Sequence, residues 1–202
     1  MRTLLSCFPM KLAALLALSA LGFPSQAADL QIHGSNTVGA TLAPMLVTGY
    51  LEQRTGASVS AKATSIENEK VIQASDGGKP VRVLVAAHGS STGFKALAAG
   101  KADIWASSRP VKAEEADQFR SRADLTTLDS EHVIAIDGLA ILVHPSNPID
   151  QLSIDTLGRI YAGQIRNWSE LGGQDRLIKL YARDDRSGTW DTFKSLVLGK
   201  HY

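Results

Sequence analysis

Residues 81–93 read Val81-Arg82-Val83-Leu84-Val85-Ala86-Ala87-His88-Gly89-Ser90-Ser91-Thr92-Gly93. The apolar run at residues 81–87 is typical of a buried strand, and a helical pattern follows over residues 92–99 until Gly100 ends it. Between them lies a small turn rich in hydroxyl side chains. A strand that leads through such a turn into a helix predicts an α/β architecture, with helices packed on a central sheet.

The same succession occurs twice more along the chain. A short strand at residues 30–32 leads into His33-Gly34-Ser35-Asn36-Thr37, and a predicted strand at residues 177–182 leads into Arg183-Asp184-Asp185-Arg186-Ser187-Gly188-Thr189. A helix N-terminus offers unpaired N–H groups and the positive end of the helix dipole, so three that converge would form an anion cage. Taken alone, each turn is more simply interpreted as an ordinary capped helix.

The rest of the pattern also alternates between strand and helix. Strands are expected at residues 58–61 and 102–106, helices at 42–56, 114–122 (charged and exposed) and 187–198, and a loop at 65–80. This alternation predicts a largely parallel central sheet.

The first 27 residues have the features of a secretory signal peptide. Arg2 and Lys11 precede or flank an apolar stretch at residues 12–23, and small residues at 24–28 resemble a cleavage site. The only cysteine, Cys7, lies inside this segment, so the mature chain would carry no thiol. Disulfide-free export fits a bacterial periplasm, and no later stretch is apolar enough to predict a transmembrane segment.

Charge argues against several classes of partner. Residues 1–27 hold two of the 21 basic residues and none of the 20 acidic ones, which leaves a mature net charge close to −1. A nucleic-acid or anionic-membrane partner would call for a basic excess. The five histidines show no metal-ligand spacing, so we expect no metal. We also expect no cofactor, and we expect the protein to be a monomer.

An apolar ribbon at residues 131–145 predicts a crossover, or hinge, between two lobes. We therefore expect a first α/β lobe at residues 28–135 and a second at 136–202, with a helix start at Ser153. The residues after the ribbon are too few to complete a second lobe, so that lobe is expected to be partial.

The second turn also matches a hydrolase pattern. Gly89-Ser90-Ser91-Thr92-Gly93 satisfies G-x-S-x-G between a strand and a helix, which would make Ser91 a nucleophile. A triad would then need a downstream histidine, and His132, His144 and His201 are poorly placed for that role. An anion site needs no base, because hydroxyl and amide donors suffice.

The third turn adds specific anion chemistry. Arg183 could offer a bidentate fork to a tetrahedral oxyanion, and Asp185 could orient that fork or accept a proton from the anion. The alternative is a surface cluster in which Arg183, Asp184, Asp185 and Arg186 pair with one another.

Five segments in fixed order carry a family resemblance: residues 34–37, 89–95, 102–110, 157–168 and 183–189. Together they resemble the periplasmic phosphate-binding proteins of ABC importers. The resemblance implies an α/β fold with central mixed sheets and flanking helices, whose two lobes close over phosphate. It implies capture of inorganic phosphate, or a related tetrahedral oxyanion, for an ABC permease, and it implies no enzymatic activity.

Carried over by position, the resemblance assigns the phosphate contacts to both halves of the chain. The implied ligand residues are Asn36, Thr37, Ser90, Ser91, Ser108, Arg183, Asp185, Ser187, Gly188 and Thr189. Ser108 stands where similar phosphate binders carry an aspartate that accepts the proton of hydrogenphosphate. A carboxylate there would repel a fully ionised anion such as sulfate. Ser108 therefore weakens the expected discrimination of phosphate from sulfate, unless Asp185 accepts the proton of hydrogenphosphate instead.

A longer link between Thr64 and Val81 resembles the branch of this family fused to a peptidoglycan-binding domain of the outer-membrane protein A type. In that branch the module could instead be an envelope-associated oxyanion sensor or scavenger. A purely structural envelope module, which would bind no ligand, is a third possibility.

The signal-peptide prediction can be tested directly. We expect the exported protein to begin at about Ala28, because cleavage should follow the small residues before it. N-terminal sequencing of the periplasmic fraction measures this. An exported protein that still carries Arg2 would contradict the prediction.

Overall fold

The computed structural model describes residues 28–199, so the predicted signal peptide lies outside the described residues. The strands are β1 (Leu30–Gly34), β2 (Ser60–Ala63), β3 (Glu69–Asp76), β4 (Lys79–Ala86) and β5 (Ile104–Ala106). The α-helices are α1 (Ala43–Thr55), α2 (Ser90–Ala98), α3 (Ala113–Phe119), α4 (Ile154–Tyr161) and α5 (Gly188–Phe193). Short π-helical segments, Val38–Leu42 and Lys194–Leu198, precede α1 and follow α5, and Trp168–Leu171 forms a 3-10 turn.

The five strands form one mixed sheet in the order β2-β3-β4-β1-β5. β1 pairs in parallel with β4 on one side and β5 on the other, whereas β2, β3 and β4 pair antiparallel. The expected α/β fold with a mixed sheet is confirmed, although only the β4-β1-β5 part is parallel. Because parallel strands end at the same edge, the segments that follow β1, β4 and β5 emerge side by side.

The loop predicted at residues 65–80 is wrong, since most of it is the β3–β4 hairpin. Gly77 and Gly78, with φ of 56° and 84°, form the two-residue connection that brings Asp76 opposite Lys79. Both positions require positive φ, which glycine adopts at little cost. The polar residues of β3 had suggested a loop, but they alternate with inward side chains such as Ile72.

The main core lies between α1 and the sheet. Ile72 and Val85 are almost completely buried there, and Leu51 of α1 packs with them. The helix ends where predicted, at Gly56, whose φ of 62° gives the left-handed cap. α2 packs against β1 and β5 through Phe94, which meets the Trp105 ring edge-on at 5.6 Å.

The structure corrects the prediction of a fully exposed charged helix and shows how the apolar ribbon lies, while the role of the ribbon as a hinge remains a prediction. α3 is not fully exposed, because Glu115 and Ala116 are buried. The ribbon at residues 131–145 forms no strand and leaves apolar side chains exposed, including Ile136 and Leu142 at 97% and 89%. Among the described residues the second half offers the ribbon no strand to pair with, and a strand needs a neighbour for its backbone hydrogen bonds.

The second half of the chain has a smaller apolar cluster of its own. Phe193, Val197 and Leu198 pack against Leu157 of α4, and Ser153 caps that helix as predicted. The strand predicted at residues 177–182 is wrong, because this stretch contributes only an isolated bridge between Leu177 and Asn167. Within the described residues, no strand lies beside residues 177–182 to pair with them. The lobe boundaries remain a prediction.

Truncating the core should destabilise the fold measurably. We expect Ile72→Ala to lower the free energy of unfolding by about 2–5 kcal/mol, because a fully buried side chain leaves a cavity. Urea denaturation measures the loss. The matched control is Ile66→Ala, whose side chain is 55% exposed and should cost much less. Equal losses in the two variants would contradict the assignment of this core.

Candidate functional site

The three hydroxyl-rich turns meet at one edge of the sheet, where each contacts the other two. Between the first and second turns, the Gly89 amide donates to the Gly34 carbonyl at 2.7 Å. Between the second and third, the Ser91 amide donates to the Arg186 carbonyl at 3.4 Å. The first and third turns meet through the hydroxyls of Thr37 and Thr189, 3.4 Å apart. The convergence expected from the sequence is therefore present in the structure.

Strand direction explains why the turns converge. The first turn follows β1, the second follows β4, and Ser108 follows β5, so all three leave the carboxyl ends of parallel strands. β1 lies between β4 and β5, so the segments that follow the three strands are neighbours at one edge. This is the position at which open α/β sheets form a ligand crevice.

Ser90, Ser108 and Gly188 form the centre of the site. The Ser90 hydroxyl is fully buried, lies 3.3 Å from the Ser108 hydroxyl, and accepts a hydrogen bond from the Ser108 amide at 3.2 Å. Gly188 packs so closely that a Cβ there would overlap both serine hydroxyls. Only glycine allows the α5 backbone to approach this far.

The third turn divides into an inner and an outer part. Ser187 is buried and caps α5 by accepting from the Trp190 amide at 3.3 Å, and Thr189 is partly buried. Arg183 and Asp185 are both exposed. The Asp185 carboxylate lies 3.7 Å from the Lys194 amine rather than on Arg183, so the predicted orienting pair is not formed.

The first turn places its residues in a similar order of depth. Thr37 lies at the rim and Asn36 beside it is partly buried. The buried Ser35 hydroxyl accepts from the Thr37 amide at 3.1 Å and so shapes the turn. A cavity of about 500 Å³ opens next to Thr37 and Ser108 and is bounded on its far side by the ribbon.

Sequence reasoning missed Arg109, which directly follows Ser108. Its side chain is only 4% exposed, and all five of its N–H donors are used. The guanidinium holds Glu115 in two bonds of 2.7 and 2.8 Å and donates to Asp191 at 3.0 Å. The sequence did contain a signal for this cluster. Arg109 directly follows a predicted ligand residue, and the acids of α3 and α5 had been given no role.

Two acids around Arg109 are held ionised. Burial opposes charge on Glu115, but bonds from Arg109 and the Lys112 amide outweigh it and keep its pKa below the ordinary value. Burial likewise opposes charge on Asp191, whereas Lys112, Lys194 and Arg109 keep the pKa of that carboxyl lowered. The cluster is therefore a set of paired ions at neutral pH.

Ser91 has surroundings that suit structure better than nucleophilic attack. Its hydroxyl accepts from the Arg109 guanidinium at 3.3 Å, and a guanidinium cannot act as a base at neutral pH. Among residues 28–199, no histidine is hydrogen-bonded to it. The same described stretch contains no cluster of histidine, cysteine or acidic side chains suited to a metal ion.

Comparisons with known proteins agree with this architecture. A family model described as a PBP superfamily domain matches residues 23–201. The phosphate-binding protein PstS of Bacillus subtilis is 37% identical over 116 residues, which are 57% of this chain and 36% of that protein. The phosphate-binding protein PstS of Borreliella burgdorferi is 30% identical over 70% of this chain and 47% of its own length.

A solved structure is similar as well. The phosphate-bound crystal structure of a Clostridium perfringens protein, assigned as a phosphate ABC transporter substrate-binding protein, aligns with a TM-score of 0.61 at 28% identity. The alignment covers 85% of this chain and 57% of that one. This chain thus spans about a third to a half of the curated relatives it matches. No helix within residues 28–199 has the length and apolar character needed to cross a bilayer.

The closeness of Gly188 to the two serines can be tested by adding one methyl group. We expect Gly188→Ala to destabilise the protein by about 1–3 kcal/mol, because the new Cβ overlaps the Ser90 and Ser108 hydroxyls. The control, Gly49→Ala in α1, meets nothing within 4 Å and should stabilise the protein by about 0.5–1 kcal/mol. Thermal unfolding measures the stability of both variants. A Gly188→Ala protein as stable as wild type would contradict the close packing of Gly188 on the two serines.

Proposed function

The chain belongs to the PBP superfamily, and on that premise we propose that it captures inorganic phosphate, or a related tetrahedral oxyanion, for ABC-type import. The convergence of the three turns on Ser90, Ser108 and Gly188 is the observation that carries the proposal. The similarity to phosphate-binding proteins supports the choice of anion.

The donors of the site suit a compact anion. Backbone amides at the starts of the helices and the hydroxyls of Thr37, Ser90, Ser108 and Thr189 can all donate hydrogen bonds, and the helix dipoles favour negative charge. Arg183, near the rim of the third turn, would supply the guanidinium that a dianion needs for charge balance. We therefore retain Arg183 and Asp185 as proposed ligand residues that reach the anion after a local movement of the exposed part of the turn.

The site is divided between the two halves of the chain. Thr37, Ser90 and Ser108 come from the sheet half, whereas Ser187, Gly188 and Thr189 come from α5 and its turn. If the halves are the two lobes predicted from the sequence, with the hinge at residues 131–145, then closing the lobes and enclosing the anion are one event.

Ser108 bears on which oxyanion is preferred. A serine hydroxyl can either donate or accept, so it neither requires a protonated anion nor rejects a fully ionised one. Discrimination of hydrogenphosphate from sulfate would then fall to Asp185, whose carboxylate is available at the surface. Phosphate remains the proposed ligand.

The similarity to phosphate-binding proteins and the predicted signal peptide support the proposed setting of the protein. We propose a periplasmic location, with an ABC permease as partner. An envelope-associated sensor or scavenger would use the same site, and the fusion to an outer-membrane protein A type domain remains a prediction. The role is binding rather than catalysis, which the guanidinium on Ser91 favours.

Calorimetry on the full-length protein tests the proposal. After unfolding and refolding to strip bound anions, we expect phosphate to release heat with wild type and to give none with Arg183→Met, because the charge partner of the dianion is lost. The control is Arg120→Met, which removes an exposed arginine paired with Asp117 and should leave binding unchanged. Unaltered affinity in Arg183→Met would overturn the proposed site.

The serine hydrolase alternative is separated by a second measurement. A hydrolase would turn over a chromogenic ester, lose that turnover in Ser91→Ala and keep it in Arg183→Met. We expect no turnover from any of the three proteins. Turnover that depends on Ser91 would favour the enzyme.

A further inference from the structure

We propose that Arg109 and Asp191 form a clasp that holds the start of α5 against Ser90 and Ser108, and so controls how fast the bound anion leaves. The inference rests on the proposed function, because it assigns a positioning role to residues beside the same site. Neither residue is among the ligand residues implied by the resemblance.

The clasp joins two parts of the chain that are distant in sequence. Arg109 follows β5 in the sheet half, and Asp191 lies on α5, 82 positions later. Their side chains are 4% and 9% exposed, and Arg109 Nε donates to Asp191 Oδ2 at 3.0 Å. Lys112 adds a second bond from the sheet half, with its Nζ 3.0 Å from the same oxygen.

Asp191 is well placed to position the centre of the site. It lies one helical turn beyond Ser187, whose carbonyl accepts from the Asp191 amide at 3.0 Å. Gly188 lies between Ser187 and Asp191 in the same helical turn, and it packs on the Ser90 and Ser108 hydroxyls. A side chain fixed at Asp191 therefore fixes the height and rotation of the helix start that covers the two serines.

Arg109 is itself rigidly held. Glu115 accepts two of its N–H groups, the Ser91 hydroxyl and the Pro110 carbonyl accept two more, and the guanidinium lies 5.5 Å from the centre of the Trp105 ring. With every donor used, the guanidinium has no freedom to follow a displaced partner. The bond between Arg109 and Asp191 can therefore form at only one position of α5.

The burial of Arg109 and Asp191 determines how strongly their ion pair slows the opening of the site. An exposed ion pair contributes little, because water screens it and solvates the separated charges. Separating Asp191 from Arg109 would instead leave charges in a site largely shielded from water, which is costly and acts mainly on dissociation. The clasp should therefore slow opening of the anion site and leave anion entry almost unaffected.

The first test is Asp191→Asn, which preserves side-chain shape and removes the charge. In stopped-flow measurements on the full-length protein, with Trp190 as the neighbouring fluorophore, we expect phosphate dissociation to accelerate about tenfold or more. The association rate should change by less than about twofold, since mutations at a binding interface act chiefly on the dissociation rate. The matched control is Asp117→Asn, which breaks an exposed pair with Arg120 and should alter neither rate.

A double-mutant cycle tests whether the two residues act together. Arg109→Met should also accelerate dissociation, and adding Asp191→Asn to it should produce far less than the product of the two single effects. Independent effects that multiply would overturn the clasp. If Arg109→Met fails to fold because Glu115 is left without its partner, Asp191→Asn and its control still decide the proposal.

The outcomes also separate this inference from the proposed function. If wild type binds phosphate and Asp191→Asn dissociates at the wild-type rate, the clasp is wrong while the proposed function stands. If wild type binds no phosphate, the proposed function fails, and hydrogen exchange in the ligand-free protein tests the clasp alone. The α5 amides must then exchange faster in Asp191→Asn than in Asp117→Asn, and equal exchange would overturn it.

Discussion

The parallel pairing of β1 with both β4 and β5 is the constraint on which the rest of the structure depends. It brings the carboxyl ends of three strands to one edge, and each strand is followed there by a serine-containing or threonine-containing segment. The first and second turns can then touch through the Gly89 amide and the Gly34 carbonyl. Without that shared edge, the hydroxyl groups would be separate helix caps with no common centre.

Close backbone approach is the second condition for the site. Gly188 brings the third turn onto Ser90 and Ser108 because it lacks a Cβ, so the distance between the chain halves is set by backbone rather than by a flexible side chain. The buried ions at Arg109, Glu115 and Asp191 lie immediately beside this contact. The centre of the site is therefore formed by hydroxyl groups, and the paired charges lie beside it.

Much of this arrangement could be predicted from local sequence. The strand at residues 81–87, the helix starts at Ser153 and Ser187, and the helix end at Gly56 follow from apolar runs, caps and glycine, which act within a few residues. The β3–β4 hairpin was missed because polar side chains in β3 resembled a loop. The segment at residues 177–182 has a strand-like sequence but lacks a paired neighbour in the described part, so the local pattern alone overpredicted a strand there.

The sequence by itself determined the α/β class, the three hydroxyl-rich turns and the family to which the chain belongs, because these depend on residue order. Only the tertiary structure decided which side chains meet. It placed Gly188 on Ser90 and Ser108, left Asp185 beside Lys194 instead of Arg183, and buried Arg109 against Asp191. The contacts of Gly188 and of Arg109 join residues 80 or more positions apart, so they depend on strand direction and helix packing, which no local pattern encodes.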